Sequence, residues 1–149
     1  MILYLDASAE VKRYVTEQGS AERHQAIASA IVVGMVIIGR VEIVAAFAKA
    51  VRMRALSASE AERARQAFYA DWPDYLRLRI TESLASRADD LAWHHGLRAY
   101  DAVQLAAALL WQEGLEASVT LATFDRQLWQ AGRHSGLCHY EMTIMCATS

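Results

Sequence analysis

The sequence predicts an α/β domain built on a mainly parallel sheet. Three apolar runs carry most of this reading. Ile2–Leu5, residues 31–38 and Val119–Ala122 are continuously apolar or nearly so, as strands covered on both faces are. Between such runs lie one or two stretches of helical periodicity with recognisable ends, the spacing of parallel crossovers. Composition agrees: 28 alanines against one proline in 149 residues favour helix. With 54% hydrophobic and 21% charged residues, the chain is no disordered segment.

In order, residues 2–5 form a first strand that ends at Asp6, and residues 8–18 a helix stopped by Gly19. Residues 31–38 are a β-branched second strand. Residues 40–54 follow as a helix with Val41, Val44, Phe47, Ala48 and Val51 at three- and four-residue spacing. Ser57 and Ser59 each have a glutamate three residues on, two overlapping capping boxes at the head of another helix. Residues 75–80 alternate, with Leu76, Leu78 and Ile80 on one face of a third strand. Residues 81–95 run as a helix to Gly96. Residues 101–112, apolar at 102, 103, 105, 106, 109 and 110, form a core helix. A fourth strand at 119–122, a short amphipathic helix at 125–131 and an edge strand at 137–145 complete the pattern. No repeat, linker or low-complexity tract divides the chain, so residues 1–149 read as one domain.

Several function classes drop out early. The formal net charge is −2 and the pI about 6.2, so no global basic field points to nucleic acid. Arginine nevertheless outnumbers lysine 13 to 2, and residues 40–79 hold eight basic against five acidic residues. That excess reads either as an RNA-facing stripe or, with Arg52, Arg54, Arg63 and Arg65 on one helix pair, as a solvated face. The longest stretch free of charge and histidine, residues 25–39, is too short to span a bilayer. The N-terminus has no basic region and meets Asp6 early, unlike a signal peptide. Cys138 and Cys146 make no disulfide framework. A soluble cytoplasmic protein, with no membrane partner, is the expectation. There is no P-loop, no GxGxxG after the first strand, no GxSxG elbow and no zinc-ligand spacing.

What remains is the placement of acids. Asp6 ends the first strand, and Asp125 follows the fourth in Thr123-Phe124-Asp125, on the same sheet edge if the strands are parallel. Ligands collect at that edge in open α/β sheets. Asp101 opens the most apolar helix, and Glu42 sits one turn into another, with Ala45 and Ala46 leaving room above it. Each has a plain structural reading. Asp6 and Asp125 suit helix caps, Asp101 forms a capping box with Gln104, and Glu42 has Arg40 or Lys49 to pair with. Taken together, four carboxylates at one edge repel, by about 4 kcal/mol for two of them 4 Å apart at a dielectric of 20. A cation offsets that. All-carboxylate ligation selects a hard ion, Mg²⁺ or Mn²⁺, whose natural work is to polarise a phosphodiester and activate water.

The ordered set Tyr4-Leu5-Asp6-Ala7-Ser8-Ala9, Arg40-Val41-Glu42, Leu97-Arg98-Ala99-Tyr100-Asp101-Ala102-Val103-Gln104 with its following alanines, and Thr123-Phe124-Asp125 closely resembles PIN-domain proteins. The resemblance is strongest to the VapC-type toxins of bacterial toxin–antitoxin modules. It implies a three-layer α/β/α fold and a Mg²⁺- or Mn²⁺-dependent endoribonuclease. It also implies that Asp6, Glu42 and Asp101 are metal ligands, that Asp125 is the fourth acid, and that Ser8 and Thr123 are hydroxyls beside the metal. A homodimer and a cognate antitoxin that blocks the acidic pocket with a basic side chain follow from the same likeness. One departure is visible: residues 35–39, before Glu42, carry no serine or threonine where family members often do.

Arg40 and Arg98, each close in sequence to an acid, are candidate RNA contacts or solvated arginines. His94 and His95 suit the dipole at a helix C-terminus. A phosphatase using Asp6 as nucleophile wants an acid at position 8, where Ser8 stands. The alternative of another class is a catalytically silent PIN-like module that binds RNA or protein, but all four acids are present.

Overall fold

The computed structural model describes residues 1–15 and 20–140, residues 20–23 by backbone alone. The apolar runs pair into one sheet of five strands, β1 (Ile2–Leu5), β2 (Val32–Val36), β3 (Leu76–Leu78), β4 (Val119–Ala122) and β5 (Cys138–His139). Their order is β3-β2-β1-β4-β5 and every pairing is parallel. Seven α-helices accompany them among the described residues: α1 (Ala7–Tyr14), α2 (Ser20–Ser29), α3 (Gly39–Arg52), α4 (Ala58–Asp71), α5 (Glu82–His95), α6 (Ala99–Leu115) and α7 (Arg126–His134).

Alternation along β1 divides the core. Leu3 and Leu5 point to one face, where they join Ile43, Phe47 and Phe68 of α3 and α4. Tyr4 points to the other, among Leu84 and Leu91 of α5, Leu105 of α6 and Leu128 of α7. Both clusters are fully buried or nearly so, which makes the architecture three layers, α/β/α. Trp111 of α6 seals the second face against Gly34 of β2. A Cβ on Gly34 would meet the Trp111 ring at 2.6 Å. Gly34→Ala is therefore expected to destabilise the protein by about 1–3 kcal/mol through overpacking. An unchanged midpoint in urea unfolding would show that the ring moves aside freely.

Several expected helix ends are where sequence placed them. Ser57 and Glu60 form a capping box, with both bonds present. The second box does not form, because Ser59 is already inside α4 and Glu62 pairs with Arg65 instead. Thr81 caps α5, which ends at Gly96 with φ 64°. Helices α6 and α7 run past the expected bounds 101–112 and 125–131, and four other elements depart from the reading. Helix α1 ends at Tyr14, and the Gly19 stop lies outside the described residues. Helix α2 had no signal, since its apolar side chains are alanines and Ile27 alone. Strand β3 covers only residues 76–78 at the sheet edge, so Leu76 and Ile80 are each 43% exposed rather than buried. Strand β5 is two residues long, and positions 141–145 of the expected strand, like Cys146, lie outside the described residues.

Among the tryptophans, Trp72 and Trp111 are buried, while Trp93 of α5 is 88% exposed. Arg52, Arg54 and Arg63 are exposed and Arg65 pairs with Glu62 across one turn, the solvated face that was one of the two expectations. No helix among the described residues is long and apolar enough to cross a membrane.

Candidate active site

Parallel pairing sends the C-terminal ends of all the strands to one edge. The chain leaves β1 toward β2 on one side and reaches β4 on the other, so β1 and β4 flank a switch point, where α/β sheets open a crevice. Asp6 follows β1 and Thr123-Phe124-Asp125 follow β4. Asp6 is 4% exposed and caps α1. Its Oδ2 accepts from the Ser8 hydroxyl (2.5 Å), the Thr123 hydroxyl (2.8 Å) and the Ser8 N–H (3.3 Å). Burial pushes its pKa up, and those donors pull against it.

Ser8 and Thr123 do more than hold Asp6. The Ser8 hydroxyl accepts from the Phe124 N–H at 3.1 Å, and the Thr123 hydroxyl from the Asp125 N–H at 3.0 Å. The two strand ends are thus tied together through one carboxylate. Asp125 caps α7 by accepting from the Leu128 N–H at 2.8 Å.

Glu42 lies in the first turn of α3, and Asp101 in the first turn of α6. Four helix N-termini therefore bring an acid to this edge, a placement their dipoles favour. Helix α3 begins after Ile38 with no side-chain cap, the structural counterpart of the missing hydroxyl before Glu42. Neither Arg40 nor Lys49 pairs with Glu42. Its Oε2 instead accepts from Gln104 Nε2 at 2.8 Å, and its Oε1 is buried with no partner. The expected Asp101–Gln104 capping box is also absent, because Arg98 occupies the cap position and Gln104 turns inward.

Glu42 and Asp101 feel the charges of the other acids. Glu42 is pushed up to about 7, first by burial and then by the charges of Asp6 and Asp101, against the Gln104 bond. Asp101 is pushed up to about 6 by burial and by the charges of Asp125 and Asp6, with Arg98 opposing. Among the described residues, however, no three His, Cys, Asp or Glu side chains close around a common point as a cation would need. The donor set is all carboxylate and hydroxyl oxygen, and one buried carboxylate oxygen lacks a partner, so the residues fit a hard divalent cation in chemistry.

Comparison with known proteins decides the family, since the PIN domain profile matches residues 3–133. The chain belongs to the PIN-domain family. Ribonuclease VapC45 of Mycobacterium tuberculosis (strain CDC 1551 / Oshkosh) is 37% identical over 117 residues, spanning 72% of this chain and 75% of that protein. Ribonuclease VapC49 of Mycobacterium tuberculosis (strain ATCC 25618 / H37Rv) matches with the same identity and coverage. Two solved structures share the PIN fold described above. PAE2754 of Pyrobaculum aerophilum superposes with a TM-score of 0.63 at 18% identity, over 93% of this chain and 83% of that one. FitAcB of Neisseria gonorrhoeae gives 0.61 at 14% identity, over 94% and 97%.

Sequence reasoning missed Gln104 and Tyr4 in this PIN domain. Gln104 is fully buried and bonded to both Tyr4 and Glu42. A signal was present, since it is the one polar side chain in the apolar run 102–110. Arg40 also finds an unforeseen partner. Its guanidinium lies 4.7 Å from the Tyr69 ring centroid, and among the described residues it makes no ion pair. Arg98 stays exposed beside Asp101.

Proposed function

We propose that the chain is a metal-dependent endoribonuclease, the toxin of a VapBC-type toxin–antitoxin pair, with residues 1–149 as a single nuclease domain. The observation that carries this reading is the gathering of Asp6, Glu42, Asp101 and Asp125 at the switch-point edge, with Glu42 Oε1 buried and unpartnered. These four would hold Mg²⁺, or Mn²⁺ in its place. When bound, such an ion polarises a phosphodiester oxygen and makes its water a nucleophile at neutral pH.

The chain's own residues prepare for that. Ser8 and Thr123 donate to Asp6 and fix its rotamer, which keeps a buried charge in one place. Glu42 and Asp101 shed their protons before they can act as ligands. Exposed Arg40, whose guanidinium lies against the Tyr69 ring, and exposed Arg98, beside Asp101, would take RNA phosphates or stack on a base. An acidic crevice of this kind suits the basic side chain of an antitoxin. A homodimer and a cytoplasmic location belong to the same reading.

A silent binding module is favoured by one observation, that the carboxylates stand apart rather than closed around a point. The two readings separate in one experiment, in which a mixed structured RNA pool is incubated with Mg²⁺ or Mn²⁺ and, in parallel, with EDTA. Cleavage with metal and none in EDTA is expected. Cutting that persists in EDTA overturns metal dependence. No cutting and no thermal shift on adding metal leaves the binding module.

A further inference from the structure

We propose that Tyr4 and Gln104 form a positioning relay that decides which oxygen of Glu42 is left for the cation, an inference that rests on the acidic-site reading above. Tyr4 and Gln104 are both wholly buried, on β1 and α6. The Tyr4 hydroxyl accepts from the Val36 N–H of β2 at 3.3 Å and donates to Gln104 Oε1 at 2.6 Å. Gln104 then donates from Nε2 to Glu42 Oε2 on α3 at 2.8 Å. Four elements are joined by bonds that all run one way, from β2 through β1 and α6 to the carboxylate.

The direction follows from what each group can do. A backbone N–H only donates, so the hydroxyl it meets has its own proton free to give to Gln104. A primary amide has its acceptor at one end and its donors at the other. With Oε1 taken by Tyr4, the donors face Glu42. Against ionised Glu42, a flipped amide would set two acceptors, Oε1 and the carboxylate, against each other with no proton between them. Glu42 Oε2 is thereby engaged from inside the protein, and Oε1 is the oxygen left over, buried and unpartnered in the field of Asp6 and Asp101. The small Ala45 and Ala46 beside it would not hold the carboxylate in place by packing. Tyr4 and Gln104 act through Glu42, so both are positioning residues.

The test is Mn²⁺ binding by calorimetry at pH 8, on wild type, Tyr4→Phe, Gln104→Met and the double variant, each checked for folding by circular dichroism. Gln104→Met is expected to raise the Mn²⁺ Kd about tenfold, the scale on which partners of metal ligands act. Tyr4→Phe should raise it less. The double variant should match Gln104→Met alone, because Tyr4 acts only through Gln104. A simple packing role would change melting temperature but not this pattern of affinities. Equal affinity in all four proteins overturns the relay and leaves the acidic site standing. Additive effects overturn the dependence of Tyr4 on Gln104. If wild type binds no Mn²⁺, the acidic-site reading itself fails and the relay falls with it.

Discussion

Asp6→Asn is expected to lower RNA cleavage about 10²–10³-fold or more while leaving the fold intact, the loss typical of removing one preorganised electrostatic group. The amide keeps an acceptor oxygen for the Ser8 and Thr123 hydroxyls, so the ties between the ends of β1 and β4 survive. What disappears is a buried negative charge that burial already disfavours and that raises the pKa of Glu42 and Asp101. Without metal, the variant should therefore melt higher than wild type. With Mg²⁺ or Mn²⁺ added, wild type should gain stability by mass action and the variant should gain little. The two proteins would exchange rank between EDTA and metal, which a variant that merely damaged the fold could not do. Cleavage at the wild-type rate by Asp6→Asn would remove Asp6 from the catalytic site.

The parts of the site that sequence revealed are those set by local chemistry. An apolar run ending in an acid reads directly, and so Asp6 after β1 and Asp125 after β4 were found together with their caps. The opposite fate of Asp101 and Gln104 shows where local reading stops. Residues three apart satisfy a capping box on paper, but Gln104 is buried and its partners are Tyr4 and Glu42, far away in the chain. A buried amide must be satisfied by whatever the fold brings to it, and that choice is not written within one helix turn. Arg40 teaches the same lesson, since Tyr69 comes from the next helix. The edge position of β3 was hidden for a related reason. Alternation in residues 75–80 shows which side chains share a face, but whether a helix covers that face depends on strand order.

Acidity supplies the second large effect. Glu42 and Asp101 are held at about 7 and about 6, against roughly 4 for free carboxyls. A ligand oxygen must be ionised, so protons compete with the metal. Below pH 6 each unit of acid should cost up to about 10²-fold in metal affinity, and cleavage should climb steeply from pH 5 to 8. Stability without metal runs the other way. The folded protein holds these protons more tightly than the unfolded chain, so their contribution is fully present below about pH 4 and is lost as pH rises through 6 and 7. Both residues are partly exposed, which reduces the effect, to roughly 3–5 °C of melting temperature between pH 5 and 8 for a chain this size. His139 acts in the opposite sense, because burial and then Arg133 lower its pKa and a neutral ring loses stability in acid. Comparing wild type with Glu42→Gln in EDTA cancels that contribution, since His139 is common to both. The gap should widen with pH in favour of Glu42→Gln, and saturating Mn²⁺ should reverse its sign at pH 8. A gap that stays constant from pH 5 to 8 would show that Glu42 ionises at the same pH folded and unfolded. The buried, unpartnered oxygen would then be no sign of a strained charge waiting for a cation.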